Sequence, residues 1–134
     1  MKLSDTEYLA VEGMNGQAFG KDDEYSKGGS IKRFAEIGGR VGVLRDSRNP
    51  QAILGYYLSS EHKGITDLVR YAVHPNHKGR GLAKKVLQEF WKDVIYATTY
   101  VSTSNRESFH ALLSSGFRYF TATQHFIYLV GLKT

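Results

Sequence analysis

The stretch Val73-His74-Pro75-Asn76-His77-Lys78-Gly79-Arg80-Gly81-Leu82-Ala83 decides how the rest of the chain is read. Upstream of it, Ile65 to Val73 is rich in apolar and β-branched residues and stops at Pro75, the pattern of a strand. Downstream, Leu82, Ala83, Val86, Leu87, Phe90, Trp91 and Val94 fall on one stripe, with Lys84, Lys85, Gln88, Glu89 and Lys92 opposite. Residues 80 to 95 therefore read as an amphipathic helix whose stripe is core. Two glycines at the helix start leave backbone N–H groups uncovered, and an anion resting there also meets the positive end of the helix dipole. The spacing of Gly79 and Gly81 is wrong for the dinucleotide fingerprint, and the Gly-Lys-Ser/Thr of an NTPase loop is missing, so the pattern disfavours both of those classes.

Periodicity extends the reading in both directions. A helix capped by Asp5 is predicted over Asp5 to Phe19, with Tyr8, Leu9, Val11 and Phe19 as buried candidates, and a second helix over about residues 22 to 37. Arg40 to Arg45 and Ala52 to Leu58 read as a strand hairpin about the Ser47-Arg48-Asn49-Pro50 turn, followed by a turn at Glu61-His62-Lys63-Gly64. Beyond the basic helix, Tyr96 to Ser102 reads as a strand. Ser104-Asn105-Arg106-Glu107 opens a short helix ending at Gly116, and Phe117 to Thr123 and Phe126 to Leu132 read as two more strands. The order α-α-β-β-β-α-β-α-β-β predicts an α/β (α+β) fold, with a mixed, mostly antiparallel sheet flanked by helices in a single domain over residues 1–134.

Composition narrows the class. The chain has 134 residues, 41% hydrophobic, with two prolines and no cysteine. Disordered, collagen-like and disulfide-framed proteins are excluded, as is any cysteine nucleophile or thiolate metal site. No apolar run approaches a membrane span, and the acidic start at Met1 to Asp5 predicts no secretory leader, so the expected location is the cytoplasm. The net charge is +5, and residues 63 to 92 carry seven Lys/Arg against Asp67 and Glu89, which accounts for the whole excess. Such a patch suits a phosphate-bearing cofactor or nucleic acid; it is also what a solvated basic helix face looks like.

The same stretch resembles the GNAT superfamily of N-acetyltransferases, whose cofactor loop follows Gln/Arg-x-x-Gly-x-Gly/Ala after a strand ending in Val-x-Pro. Here Lys78 stands for the Gln or Arg, Gly81 for the fixed glycine and Ala83 for the last position, and Leu68 to Pro75 resembles the family's fourth strand without a gap. A second mark, an Asn opening the next helix followed by Gly-Phe, is matched by Asn105, Gly116 and Phe117. The likeness spans residues 65 to 117 and leaves only about Lys2 to Ser4 for the family's first strand.

The resemblance implies acetyl-CoA as co-substrate and no metal. It implies that the amides of Gly79, Arg80, Gly81, Leu82 and Ala83 hold a pyrophosphate, and that Tyr71, Ala72 and Val73 pair with the pantetheine arm. Lys78, Arg80, Lys84 and Lys85 would neutralise phosphate. Asn105 would bond the pantetheine end or act simply as a helix cap. Asp67 holds the place of a strand-four glutamate and is the candidate base that takes the amine proton, or else a strand-start Asp. The chain departs from the family where a Tyr seven residues after the Asn protonates the leaving thiolate, since Leu112 stands there, and Tyr100 stands where the branch acting on protein N-termini has a Glu. His110 and Tyr119 are the candidate substitutes for the acid. His74 and His77 flank the loop as cap or solvent residues.

The expected function is transfer of acetyl from acetyl-CoA to a primary amine of a small molecule or protein, by a monomer or homodimer. A catalytically weak CoA-binding module and a basic nucleic-acid-binding domain are the alternatives; no recognised nucleic-acid motif supports the latter. The acidic run Asp22-Asp23-Glu24 would favour a cationic acceptor or is a solvated loop.

Overall fold

A computed structural model describes residues 3–77 and 79–133. The helices are α1 (Asp5–Phe19), α2 (Ser30–Glu36), α3 (Leu82–Trp91) and α4 (Arg106–Ser115). The strands are β1 (Arg40–Arg45), β2 (Ile53–His62), β3 (Ile65–Val73), β4 (Tyr96–Ser102), β5 (Phe117–Ala122) and β6 (Phe126–Leu132). Single 3-10 turns lie at Glu24–Ser26 and Pro75–His77. The six strands form one sheet in the order β1-β2-β3-β4-β6-β5, in which β3–β4 is the one parallel pair among the described residues. The element order is the one expected from periodicity.

The sheet separates two cores. On one face α3 contributes Leu82, Val86, Leu87, Phe90 and Trp91, packed with Tyr57, Leu68, Leu112, Phe117 and Leu129. Each such side chain contributes roughly 1.5–3 kcal/mol by leaving water, which is why the predicted stripe holds as a helix. Gly55 lets α3 approach, since a Cβ there would stand 2.6 Å from Val86 and 2.9 Å from the Ala72 carbonyl. On the other face Tyr8, Val11, Met14 and Ile31 of α1 and α2 cover Ile53, Tyr56 and Leu58.

Several expectations at the edges are corrected. Ser4, not Asp5, caps α1: its hydroxyl accepts from the Glu7 N–H, while the Glu7 carboxylate accepts from the Ser4 N–H. Leu9 and Phe19 are exposed, and the buried stripe of α1 instead includes Glu12 and Asn15. The second helix is confined to Ser30–Glu36, because Gly29 at φ 81° breaks the run before it. The strand expected to end at Leu58 continues to His62, since Lys63 and Gly64, at φ 53° and 83°, make a two-residue hairpin turn that pairs His62 with Ile65. Leu3 and Ser4 are not in a strand, and Lys2 lies outside the described residues.

Candidate active site

The parallel pairing of β3 with β4 stops early. Thr66, Asp67 and Leu68 pair with Ala97, Thr98 and Thr99, after which the two strands part from each other while β3 stays paired with β2 to Val73 and β4 with β6 to Ser102. The Thr99 hydroxyl donates to the Leu68 carbonyl at 2.8 Å and pins the vertex. The separation opens a cleft of about 760 Å³ that passes through the sheet. Leu68 to Val73 and Thr99 to Ser102 form its walls. One end is lined by Gly79, Gly81, Leu82, Ala83, Asn105, Ser108 and Leu112, and the other by Gln17, Ala18, Phe19, Arg70, Tyr100 and Phe126.

At the first end the glycine turn is built as the sequence suggests. Gly79 and Gly81 have φ of 81° and 70°, and a Cβ on either would meet nothing within 4 Å, so the space beside this backbone is open. No side chain caps α3. Its first amides are therefore left for an anion, and the turn with exposed Arg80, Lys84 and Lys85 fits a pyrophosphate. Arg80 is hydrogen-bonded to His77 Nδ1 at 2.7 Å, and His74 Nδ1 accepts from the Asn76 N–H. Lys78 lies outside the described residues. Asn105 caps α4, its Oδ1 accepting from the Ser108 N–H at 3.1 Å, and also lines the cleft.

A β-bulge decides the other end. Leu58 pairs with Arg70 but Ser59 pairs with Leu68, which leaves Val69 as an extra residue in β3. Leu68, Tyr71 and Val73 consequently face the α3 core, while Val69 and Ala72 pack with the α1 core. Arg70 is brought to the α1 side, where its guanidinium lies 5.3 Å from the Phe19 ring and 5.5 Å from the Tyr25 ring and pairs with Asp23 at 3.2 Å. Asp23 also accepts from Asn15 Nδ2 and the Tyr25 N–H, and Asn15 accepts from the Tyr56 hydroxyl. Burial raises the Asp23 pKa, but the Asn15 and Tyr25 donors and the Arg70 charge outweigh it and hold the carboxyl below the usual range. This chain of polar groups carried no signal in hydropathy, because Asn15 occupies a position on α1 that periodicity gives to an apolar residue.

The remaining candidates separate cleanly. Asp67 stands immediately behind the vertex, across the strand from Leu68, and accepts from the Thr98 hydroxyl at 3.0 Å. Burial raises its pKa against the opposing hydrogen bond from Thr98 and the charge of Arg70. The structure brings Tyr71, Ala72, Val73, Gly79, Gly81, Leu82, Ala83 and Asn105 to the cleft lining. It does not bring Asp67, His110 or Tyr119 there: Asp67 lies in the paired part of β3, one residue behind the lining, and the other two are exposed, His110 on α4 and Tyr119 on the edge strand β5. Leu112 is 1% exposed within the α3 core, so a Tyr ring at this position would overpack the site. Of the acidic run, Asp23 is consumed by its internal partners, while Asp22 and Glu24 are exposed. Among the described residues no cluster of His, Asp and Glu could hold a metal, and no helix is long and apolar enough to cross a membrane.

Solved structures share this architecture from end to end. A Desulfovibrio desulfuricans protein assigned to the GNAT family of acetyltransferases superposes with a TM-score of 0.79 at 15% identity, over 99% of this chain and 96% of its own. The chain has the GNAT fold. Spermidine N-acetyltransferase of Vibrio cholerae, in complex with CoA and spermine, matches with a TM-score of 0.79 at 12% identity, over 99% of this chain and 94% of its own. The same enzyme in a dodecameric structure matches at 0.75 and 13%. No family model and no curated protein sequence matches the chain. In this chain the parted parallel strands and the glycine turn line consecutive parts of one cleft.

Proposed function

We infer that the protein is an N-acetyltransferase that moves the acetyl group of acetyl-CoA to a primary amine of a small molecule or protein. The observation that carries this reading is the early end of the β3–β4 pairing. It leaves the amides and carbonyls of Tyr71 to Val73 without sheet partners on that side, directly in line with the open turn at Gly79–Gly81. A pantetheine arm satisfies such an edge as a strand would, and the turn takes its diphosphate. Bound acetyl-CoA supplies a thioester carbonyl that an amine can attack. The unpaired backbone N–H groups of β3 polarise that carbonyl as charge develops on its oxygen.

The acceptor enters from the α1 side, where Phe19, Arg70, Tyr100 and Phe126 line the opening. Asp67, one residue behind the vertex, takes the amine's proton through a water. Burial places its carboxyl above the ordinary range and makes it a stronger base than an exposed Asp. The spermidine acetyltransferase neighbour supports an amine acceptor, and the loose acidic residues Asp22 and Glu24 suit a cation approaching this mouth. The test is incubation with acetyl-CoA and a panel of polyamines, amino acids and peptides, reading free thiol and product mass. Amine-dependent thiol release with a 42 Da gain on one class of acceptor is the expected result, the added mass being that of one acetyl group replacing a proton. No release with any amine, despite tight CoA binding, would leave a CoA-binding module instead.

A further inference from the structure

We propose that Tyr71 is the residue that stabilises the leaving thiolate of CoA, by donating its phenolic hydrogen bond to the sulfur from β3. The proposal rests on the acetyltransferase reading above. Its carrying observation is a hydroxyl pair across the donor side of the cleft: the Tyr71 hydroxyl lies 2.7 Å from Ser108 Oγ on the first turns of α4. Tyr71 and Ser108 both line the cleft, on β3 and α4, between the glycine turn and the strand vertex. An arm running from the turn to the vertex passes alongside this pair, within reach of the Tyr71 hydroxyl.

Helix geometry explains why this hydroxyl stands in the right place. A helical side chain leans toward the helix N-terminus and covers the turn before its own Cα. A hydroxyl carried on a side chain at position 112 would therefore lie over the turn of Ser108. Leu112 carries none, and Tyr71 delivers one to that same turn from the opposite wall. Of the other hydroxyls lining the cleft, Thr99 donates to the Leu68 carbonyl, the Ser102 and Ser104 hydroxyls bond each other at 2.8 Å, and Tyr100 lies at the α1-side end with Arg70. The Tyr71 hydroxyl also reaches the Ser108 carbonyl, at 3.5 Å. When Ser108 donates to the phenolic oxygen, the Tyr71 O–H turns from that long contact to the sulfur and is strengthened as a donor. Burial pushes the Tyr71 pKa up, so the phenol keeps its proton throughout.

The step balances without transfer of that proton. The amine nitrogen bonds to the acetyl carbon and gives one proton to Asp67 through water, while the carbon–sulfur bond breaks and its electron pair stays on sulfur. Tyr71 holds the resulting thiolate by a charge-assisted hydrogen bond, and solvent takes the proton from Asp67.

Steady-state kinetics of wild type and Tyr71→Phe with two donors, acetyl-CoA and its selenoester analogue, test this. A selenolate is a much weaker base than a thiolate and gains less from a hydrogen bond. With the thioester, kcat should fall roughly 10- to 100-fold while the KM for acetyl-CoA stays within about twofold, the size of one lost bond to a charged group. With the selenoester, the loss should shrink to within about threefold of wild type. Unchanged kcat, or an equal loss with both donors, would overturn the assignment and leave Tyr71 a packing residue. Should Tyr71→Phe fail to fold, Ser108→Ala should show the same donor dependence at smaller size, and no dependence there would overturn the proposal equally. A folded wild type that neither binds CoA nor releases thiol would overturn the acetyltransferase reading together with this one, whereas an active wild type with an unaffected Phe variant overturns this one alone.

Discussion

The two mouths of the cleft are built by opposite strategies. The mouth under α3 is made of consecutive residues, Tyr71 to Val73 and Gly79 to Ala83, whose backbone does the work. The mouth under α1 is made of side chains gathered from four places in the chain, Phe19, Arg70, Tyr100 and Phe126, with Arg70 held from beneath by Asp23 and its buried partners Asn15 and Tyr56. The first needs only a strand, two glycines at positive φ and a helix, and those leave a local mark in the sequence. The second depends on the bulge at Val69 and on a long-range ion pair, which leave none. A fold can thus announce how it holds a donor while concealing what it does to an acceptor.

Disturbing the backbone mouth should have the largest effect. Gly81→Glu places a charged side chain in the open space beside the turn, and its left-handed φ of 70° adds a strain of about 1–2 kcal/mol. CoA affinity measured by calorimetry should fall by two orders of magnitude or more, with the circular dichroism spectrum unchanged. Equal affinity in a folded variant would sever the turn from the donor.

Asp67→Asn comes next and sharpens the division from the other side. Turnover should fall roughly a hundredfold with little change in the KM for acetyl-CoA. A base works deprotonated, so wild-type kcat/KM should rise with pH through a pKa above the ordinary Asp range, and the variant should lack that limb. Wild-type turnover at every pH would make Asp67 a strand residue bonded to Thr98.

The polar network beneath the acceptor mouth should respond in stability and leave the donor untouched. Asp23→Asn leaves the Arg70 guanidinium, 19% exposed, without its carboxylate, at a cost of about 1–3 kcal/mol read by urea unfolding, while CoA affinity holds. The Asp23 carboxyl is lowered in the folded state. Its contribution is therefore complete above the unfolded value near ~4 and is lost as pH falls through the lower folded value, so the variant and wild type should converge in strong acid. A pH-independent difference would mean that the pair contributes no electrostatic stability.

The smallest effects belong to the exposed cations. Arg80→Ala and Lys84→Ala should each weaken CoA only severalfold, and the loss should fade in high salt, because both side chains lie in solvent. If instead they weakened RNA or DNA more than CoA, with a steep salt dependence, the basic segment would belong to nucleic acid.

The same contrast explains what could be read in advance. Arg40–Arg45, Ile65–Val73, Tyr96–Ser102 and Phe126–Leu132 were legible as strands, because alternation or β-branched runs bounded by turns mark them without tertiary help. The stripe of α3 was equally plain. Leu9 and Phe19 misled as core candidates, because the buried face of α1 is partly polar and turns toward Asp23 and Gly29. The extra residue at Val69 shifts the alternation of β3, so no strict two-residue period places Arg70 beside Phe19. His110 and Tyr119, the candidates for the acid, follow Asn105 closely in sequence but lie outside the cleft, whereas the Tyr71 hydroxyl lines it from β3.

An amide-resolved NMR titration with CoA tests the central claim most directly, that the parted strands and the glycine turn together hold the donor. The account predicts the largest shifts at the amides of Tyr71, Ala72, Val73, Gly79, Gly81, Leu82 and Ala83, with β1 and α2 unmoved. Shifts confined to the exposed face of α3 around Lys84 and Lys85, or no shifts at saturating CoA, would contradict it.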